Sequence, residues 1–206
     1  FGERIYSIKK FNFDYFSLDG SSQLIAKTGY SRIGGFEIYL SRPELGSSLW
    51  ETILEAGRSE NIRPGSPNII DRVEAGLLSF GNEMTVENTP LECNMDKFLD
   101  INKEADYIGK KVLQRQIRYG IKRRIRGVIY NGPKLPTISR PLQVFDIDKR
   151  TIVGSLTSGA FSPHFKSNIG VGMVKYGYWD NNKKILVNIA DQEFREGLIK
   201  DLPLIQ

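Results

Sequence analysis

The sequence is poor in the side chains that metal, redox and acid–base sites most often use. Its 206 residues include one cysteine, Cys93, and one histidine, His164. A single cysteine excludes an internal disulfide framework and favours a reducing compartment, so we expect a cytoplasmic protein. The sequence also lacks zinc-ligand spacing, a nucleophile elbow and a phosphate-binding glycine loop. We therefore interpret Cys93 as a small buried residue and His164 as a surface residue, and we assign no metal site and no catalytic acid or base.

Long hydrophobic runs are absent as well. No apolar stretch reaches the ~18 residues that a membrane-spanning helix needs, so we expect no membrane partner. The composition, 40% hydrophobic and 26% charged, is that of an ordinary folded protein with one large or two small domains.

Positive charge is concentrated in one block. The net charge is +5, and residues 107–127 contain eight Lys/Arg and no acidic residue. Such a block could meet a polyanion, either a nucleic acid or a polyglutamate tail. A solvated helix face followed by a linker is the more ordinary interpretation, and we do not expect a nucleic-acid partner.

The first part of the chain mixes strand and helix patterns. A strand is predicted over 23–28, and a second over 36–40, where alternation places Glu37 and Tyr39 on one face and Phe36, Ile38 and Leu40 on the other. Helices are predicted from Ser41 to Gly57, from Ser66-Pro67 onward, and from about 106 to 119, the last with Ile108, Val112, Leu113 and Ile117 inward.

After Gly120 the pattern changes to short β-rich runs separated by turn residues. These runs cover 124–130, 142–146, 151–156, 168–174 and 184–190. Their spacing predicts a small antiparallel barrel or jelly roll. The fold class is therefore α+β, an antiparallel sheet with helices over residues 1–118 followed by a C-terminal antiparallel β-barrel over residues 119–206.

Four segments, in order along the chain, carry a resemblance to a known family. They are Thr28-Gly29-Tyr30 with 34–38, Arg72–Gly81, Thr89–Glu92 with Asp106–Lys110, and Val153–Pro163 with Asn168-Ile169-Gly170 and Leu202-Pro203. Together they resemble the glycine-cleavage T-protein family of folate-dependent aminomethyltransferases and demethylases. The resemblance covers nearly the whole chain but only the later part of a family member.

This resemblance implies a folate site and its residues. Glu37 matches the family glutamate that hydrogen-bonds the pterin, and a carboxylate suits paired N–H donors of an aminopyrimidine. We expect Tyr39 beside it to pack on the ligand, with further contacts from Asn68, Tyr30 and Lys97. The implied cofactor is tetrahydrofolate, which carries the chemistry while the protein binds and positions it.

Two positions depart from the glycine-cleavage pattern. Asn68 stands where those enzymes carry arginine, and Lys97 where they carry tryptophan, which puts the aminomethyl-lipoyl reaction in doubt. The sequence is more similar to the dimethylsulfoniopropionate demethylase branch, which shares Pro67-Asn68. A folate-binding branch linked to iron–sulfur assembly uses a cysteine motif that the segment 105–110 lacks.

The expected function is transfer of a methyl or other one-carbon unit to tetrahydrofolate from a small-molecule donor, a sulfonium such as dimethylsulfoniopropionate. The alternatives are the aminomethyltransferase reaction and a non-catalytic folate- or RNA-binding module. The residues from Phe1 onward mix apolar and charged side chains, as in the middle of a domain. We therefore expect the chain to need an N-terminal region of its own protein as a partner and to be inactive alone. A homo-oligomer is left open.

Overall fold

The structure is a computed structural model that describes residues 1–29, 34–66 and 68–205. Its contacts divide the chain into two compact units, residues 1–68 and residues 69–206. The barrel strands begin at Arg123. The domain boundary at 118/119 stays a prediction.

The first unit is built on a three-stranded antiparallel sheet in the order β1-β2-β3. The strands are β1 Phe13–Leu18, β2 Ser21–Ala26 and β3 Glu37–Tyr39. Asp19 and Gly20 form the two-residue turn between β1 and β2, and both have positive φ, 47° and 73°. A tight hairpin needs this geometry, which Asp-Gly adopts readily. The sequence prediction missed β1 although this turn signal follows it.

One helix, α1 Gly46–Ala56, packs on one face of that sheet. It follows a 3₁₀ turn at Pro43–Leu45 and ends at Gly57, the predicted stop. Leu49 of α1 is buried with Leu18 and Leu45, and Ile38 packs against the same cluster. Two more 3₁₀ turns, Glu3–Ser7 and Arg58–Glu60, complete the unit.

The second unit is a closed six-stranded antiparallel barrel preceded by two helices. The helices are α2 Ile69–Glu74 and α3 Lys110–Tyr119, with a 3₁₀ turn at Asp96–Phe98 between them. The barrel order is β4-β7-β6-β5-β8-β9, and β4 closes it by pairing with β9. The strands are β4 Arg123–Tyr130, β5 Leu142–Phe145, β6 Ile152–Ser162, β7 Ser167–Lys175, β8 Lys184–Ala190 and β9 Glu193–Lys200.

Inward-facing aliphatic residues from every strand fill the barrel. The fully buried members include Val128, Val144, Leu156, Val174, Val187 and Ile199. The predicted fold class, an antiparallel sheet with helices followed by an antiparallel barrel, is confirmed. The sequence did not predict strand β9, because its first four residues, Glu193 to Glu196, are three charged residues and one phenylalanine and so contain no apolar run.

The prediction for α3 was wrong in two respects. The helix starts at Lys110 instead of Asp106. Only Leu113 is buried, while Ile108 is fully exposed and Val112 and Ile117 are 53% and 56% exposed. Ile108 precedes Gly109, whose φ of 88° sets the residues before it apart from the helix.

In the part of the chain that the structure describes, no helix is long and apolar enough to cross a membrane.

Candidate folate-binding face

Glu37 begins β3, and two hydroxyl groups of the same unit hold its side chain. The Thr28 hydroxyl donates a hydrogen bond to Glu37 Oε2, and the Tyr39 hydroxyl donates to the same oxygen at 3.3 Å. Glu37 is exposed, and within the described ranges no donor reaches its second oxygen, Oε1. The carboxylate of this exposed residue is therefore oriented through Oε2, and within the described residues Oε1 has no protein donor.

Strand register places aromatic side chains on the same sheet face as Glu37. Phe13 pairs with Ala26, which pairs with Glu37, and Tyr15 pairs through Leu24 with Tyr39. Residues opposite one another in an antiparallel sheet share a face. Phe13 and Tyr15 are 58% and 55% exposed, and their rings make an edge-to-face contact with centroids 6.0 Å apart.

This face combines an anionic acceptor with exposed aromatic rings. A carboxylate with one open oxygen and a hydroxyl neighbour can accept N–H donors, and exposed aromatic rings can pack against a planar heterocycle. Sequence reasoning found Glu37 and Tyr39 but missed Phe13 and Tyr15, because it did not recognise their strand. The alternation of Phe13 and Tyr15 before Asp19-Gly20 is the signal that could have found them.

The other predicted ligand residues lie elsewhere. Tyr30 lies outside the described residues. Asn68 is exposed and comes directly before α2. Lys97 is exposed on the 3₁₀ turn of the second unit, its ammonium 5.0 Å from the centroid of the Phe98 ring. The structure thus brings Glu37 and Tyr39 together, while the ligand roles of all five residues stay predictions.

A buried ion pair, which the sequence did not predict, fixes α2 within the second unit. Arg72 donates to Glu83 at 2.8 Å, and their side chains are 2% and 0% exposed. Arg72 also donates to the Leu77 carbonyl at 2.8 Å and to the Ser158 hydroxyl at 2.5 Å. The Ser79 backbone N–H donates to Glu83 at 2.7 Å. Both terminal nitrogens of Arg72 and both carboxylate oxygens of Glu83 thus have partners, which is what burial of charge requires.

A second buried contact joins the end of α2 to the end of β6. The Ser162 hydroxyl donates to Glu74 Oε1 at 2.5 Å and accepts from the Phe165 backbone N–H at 3.0 Å. Both residues of the pair are buried. The two contacts involve segments that carried the family resemblance, Arg72–Gly81 and Val153–Pro163, and they give those segments a structural role.

Cys93 and His164 lie where the sequence predicted them. Cys93 is buried, and burial, with the nearby Glu92 carboxylate as a smaller cause, raises the pKa of its thiol. A raised pKa disfavours the reactive thiolate. His164 is exposed and its ring contacts Phe165 edge-on. Over residues 1–29, 34–66 and 68–205, no group of three or more His, Cys, Asp or Glu could hold a metal ion.

Two family models match this chain. Residues 5–103 match the GCVT N-terminal domain, and residues 123–202 match the glycine cleavage T-protein C-terminal barrel domain. The second range coincides with the closed barrel described above.

Curated relatives agree with these matches. Dimethylsulfoniopropionate demethylase DmdA of Ruegeria pomeroyi is 40% identical over 179 residues, 87% of this chain and 48% of that protein. Aminomethyltransferases of Geobacillus sp. and Caldanaerobacter subterraneus are 33% and 36% identical over 94% and 96% of this chain, and 52% of each relative is covered. The chain thus spans about half the length of the curated relatives it matches.

A solved structure has the same fold. The glycine cleavage system aminomethyltransferase T of Bartonella henselae superimposes with a TM-score of 0.80 at 21% identity, covering 97% of this chain and 54% of that one. The family models, the relatives at 33–40% identity and the shared fold all lead to one conclusion: the chain belongs to the glycine-cleavage T-protein family.

Proposed function

We propose that the protein containing this chain transfers a one-carbon unit to tetrahydrofolate, and that its donor is a sulfonium such as dimethylsulfoniopropionate. The observation that carries the proposal is the oriented, solvent-facing carboxylate of Glu37 on a sheet face rich in aromatic residues. Identity of 40% with a dimethylsulfoniopropionate demethylase supports the choice of donor.

The residues on this face suit a folate. Glu37 would hold the ligand's N–H edge through Oε1, while Thr28 and Tyr39 keep the carboxylate turned towards it. Tyr39 and the neighbouring ring of Tyr15 would pack against its rings. When bound, tetrahydrofolate would supply the nitrogen nucleophile that accepts the one-carbon unit.

This chain's own contribution would be to bind and align. A sulfonium is already an activated methyl donor, so holding the reactants in line can supply much of the rate acceleration. Asn68 and Lys97 are candidates for contacts to the ligand. No acid or base of the chain is assigned a role in proton transfer.

A second candidate function is the aminomethyltransferase reaction, because several relatives at 33–36% identity carry that name. Asn68 is the residue that favours the demethylase, since an amide cannot replace the planar cation of arginine. The two reactions differ in donor and in product.

The test is an assay of the full-length protein with tetrahydrofolate and each donor in turn. We expect turnover with dimethylsulfoniopropionate and none with an aminomethyl-lipoyl carrier. Turnover with the carrier alone would replace the first candidate by the second. Absence of turnover with both would contradict the proposed function.

A further inference from the structure

A groove of about 550 Å³ lies on the outer surface of the barrel, across strands β4, β9 and β8. Tyr130 of β4 and Ile185 of β8 belong to the barrel core, so the residues next to them along each strand face outward. Every residue that lines the groove belongs to the second unit. The groove thus shares no residue with the sheet face that carries Glu37.

Aliphatic side chains line the middle of the groove. Ile129 of β4 pairs with Leu198 of β9, and Leu186 of β8 lies opposite Glu196, two positions before Leu198. Paired residues share a face, as do residues two positions apart, so all four belong to the outer face. Leu186 is 8% exposed, and Ile129 and Leu198 are half-buried. These residues form an apolar strip that is two strand spacings wide, about 10 Å.

Polar side chains stand at the two sides of this apolar strip. Lys184 of β8 and Lys149, in the loop after β5, line one side, while Asn131 and Ser167 line the other, where β4 meets β7. Within the described residues, none of these four side chains forms a hydrogen bond or a salt bridge. The Lys149 ammonium lies 5.7 Å from the centroid of the Phe194 ring. The hydrogen-bonding capacity of both sides is therefore available to a ligand.

The charge of the groove is uneven. The two lysines on its β8 side are exposed, and the acidic residue in its described wall is Glu196 on β9. Glu196 forms no salt bridge with either lysine in the described part of the chain. Apolar walls with a few polar groups that converge from the sides are typical of sites for small molecules. Two unpaired cations on one side favour an anionic head group there.

We propose that this groove binds a small monocarboxylate with an apolar body. Its carboxylate would pair with Lys149 and Lys184, and its body would cover Ile129, Leu186 and Leu198, removing apolar surface from water. A polyanion would leave the apolar strip exposed and would bring further negative charge towards Glu196. The inference does not depend on the proposed folate reaction.

The experiment measures dissociation constants for the full-length protein by ligand-observed NMR titration. The probe is 4-phenylbutyrate, and three comparison ligands separate its parts: 4-phenylbutanamide has the body without the charge, 4-phenylbutylamine has the opposite charge, and acetate has the head group alone. The variants are Lys149→Gln with Lys184→Gln, and Leu198→Thr. The matched control is Lys111→Gln with Lys122→Gln, two exposed lysines of the same unit outside the groove. Urea midpoints verify that each variant is folded.

The wild-type protein is expected to bind 4-phenylbutyrate with a Kd of about 0.1–1 mM, the range for a ligand of this size in an open groove. The amide should bind about three- to tenfold more weakly, because two exposed ion pairs are lost. Lys149→Gln with Lys184→Gln should abolish this preference, whereas the control keeps it. Leu198→Thr should weaken the acid and the amide alike, by about three- to fivefold, through lost apolar contact. High salt should reduce the preference for the acid.

An amide or amine that binds the wild type as tightly as 4-phenylbutyrate would overturn the inference. So would a preference for the acid that survives Lys149→Gln with Lys184→Gln, or acetate that binds as tightly as 4-phenylbutyrate. Sedimentation of the same protein tests the other occupant. If 4-phenylbutyrate does not bind and the protein forms dimers that Leu198→Thr abolishes, the groove belongs to a second copy of the chain and the inference is wrong.

Discussion

At the scale of single residues, the Glu37 carboxylate is oriented by hydroxyl groups, and in the described ranges it forms no salt bridge. A cation beside it would compete with a ligand for its negative charge. Two hydroxyl donors on one oxygen leave that charge available on the other. This arrangement suits a carboxylate that binds N–H donors of a neutral heterocycle.

Glu37→Gln is therefore expected to weaken tetrahydrofolate binding to the full-length protein by about 1.5–3 kcal/mol, the range for a hydrogen bond to a charged group. The amide keeps the shape but loses the charge and one acceptor. Calorimetric titration measures the change, with Glu51→Gln, an exposed glutamate of α1, as the control. Affinity equal to that of the wild type would remove Glu37 from the site.

Arg72 is the residue whose loss should cost the most stability in the second unit. Arg72→Ala leaves the buried Glu83 carboxylate without its cation and should lower the free energy of unfolding by about 3–5 kcal/mol. Arg58→Ala removes an exposed ion pair with Glu55 and should cost about 1 kcal/mol or less. Urea unfolding measures the free energy of unfolding of both variants. Equally small losses for Arg72→Ala and Arg58→Ala would mean that the buried pair contributes little to stability.

Because of Tyr130, the free energy of unfolding should fall as the pH rises through the alkaline range. Burial raises the pKa of Tyr130 from 10.0 to about 12, against a smaller opposing effect of Arg195. The unfolded chain releases this proton near pH 10, so between pH 10 and 12 the unfolded state binds fewer protons than the folded state. The contribution of the protonated Tyr130 to the free energy of unfolding is therefore complete below pH 10 and is lost as the pH rises towards 12.

Tyr130→Phe is accordingly expected to reduce the loss of stability between pH 10 and 12. Urea midpoints measured across this range give the dependence. Tyr176→Phe, at a 72% exposed tyrosine, should leave the wild-type dependence in place. A pH profile for Tyr130→Phe that superimposes on the wild type would contradict the assignment.

At the scale of elements, α2 is held on the barrel by side chains from β6. Ser158 accepts from Arg72, and Ser162 donates to Glu74. The helix has only six residues, too few to be stable by its own hydrogen bonds. Its position therefore depends on these tertiary contacts.

Ser162→Ala should destabilise the chain by about 1–3 kcal/mol, because Glu74 loses a donor and the Phe165 N–H loses its acceptor inside the protein. Ser155→Ala, at a half-buried serine of the same strand, serves as the control and should change stability by about 0.5 kcal/mol or less. Chemical denaturation distinguishes them. A Ser162→Ala variant as stable as the control would show that α2 docks without this contact.

Most elements could be predicted from the sequence because their hydrophobic period and turn residues agree. The run 184–190 is a strand at those positions, 142–146 is one residue longer than the observed strand, and the strand at 168–174 extends one residue further at each end. Alternation also placed Glu37 and Tyr39 correctly on one face of β3. The outward position of Ile117 could not be predicted, because amphipathic periodicity does not say how much of an apolar stripe a neighbour covers.

The buried network around Arg72 and the complete set of residues on the Glu37 face could not be predicted from the sequence, for a different reason. Arg72, Glu83 and Ser158 are up to 86 positions apart in sequence and meet only through the tertiary fold. Phe13 joins Glu37 through the register of three strands, one of which the sequence analysis did not recognise. Long-range pairing is the information that local patterns lack.

At the scale of the whole molecule, the chain has two units with cores of their own but spans about half of its curated relatives. We predict that the isolated chain unfolds cooperatively and does not turn over substrate, because a folate face open to water positions the reactants poorly. Side-by-side assays with the full-length protein test this. Turnover by the chain within about tenfold of the full-length rate would place a complete site within these 206 residues.

We propose that the full-length protein passes a methyl group from a sulfonium to tetrahydrofolate. The most direct test of this proposal follows an isotopically labelled methyl group of dimethylsulfoniopropionate during turnover. We expect the label to appear on the folate in a 1:1 ratio with the demethylated sulfide, and we expect no sulfide when tetrahydrofolate is omitted. Sulfide formation without tetrahydrofolate, or label that never reaches the folate, would contradict it.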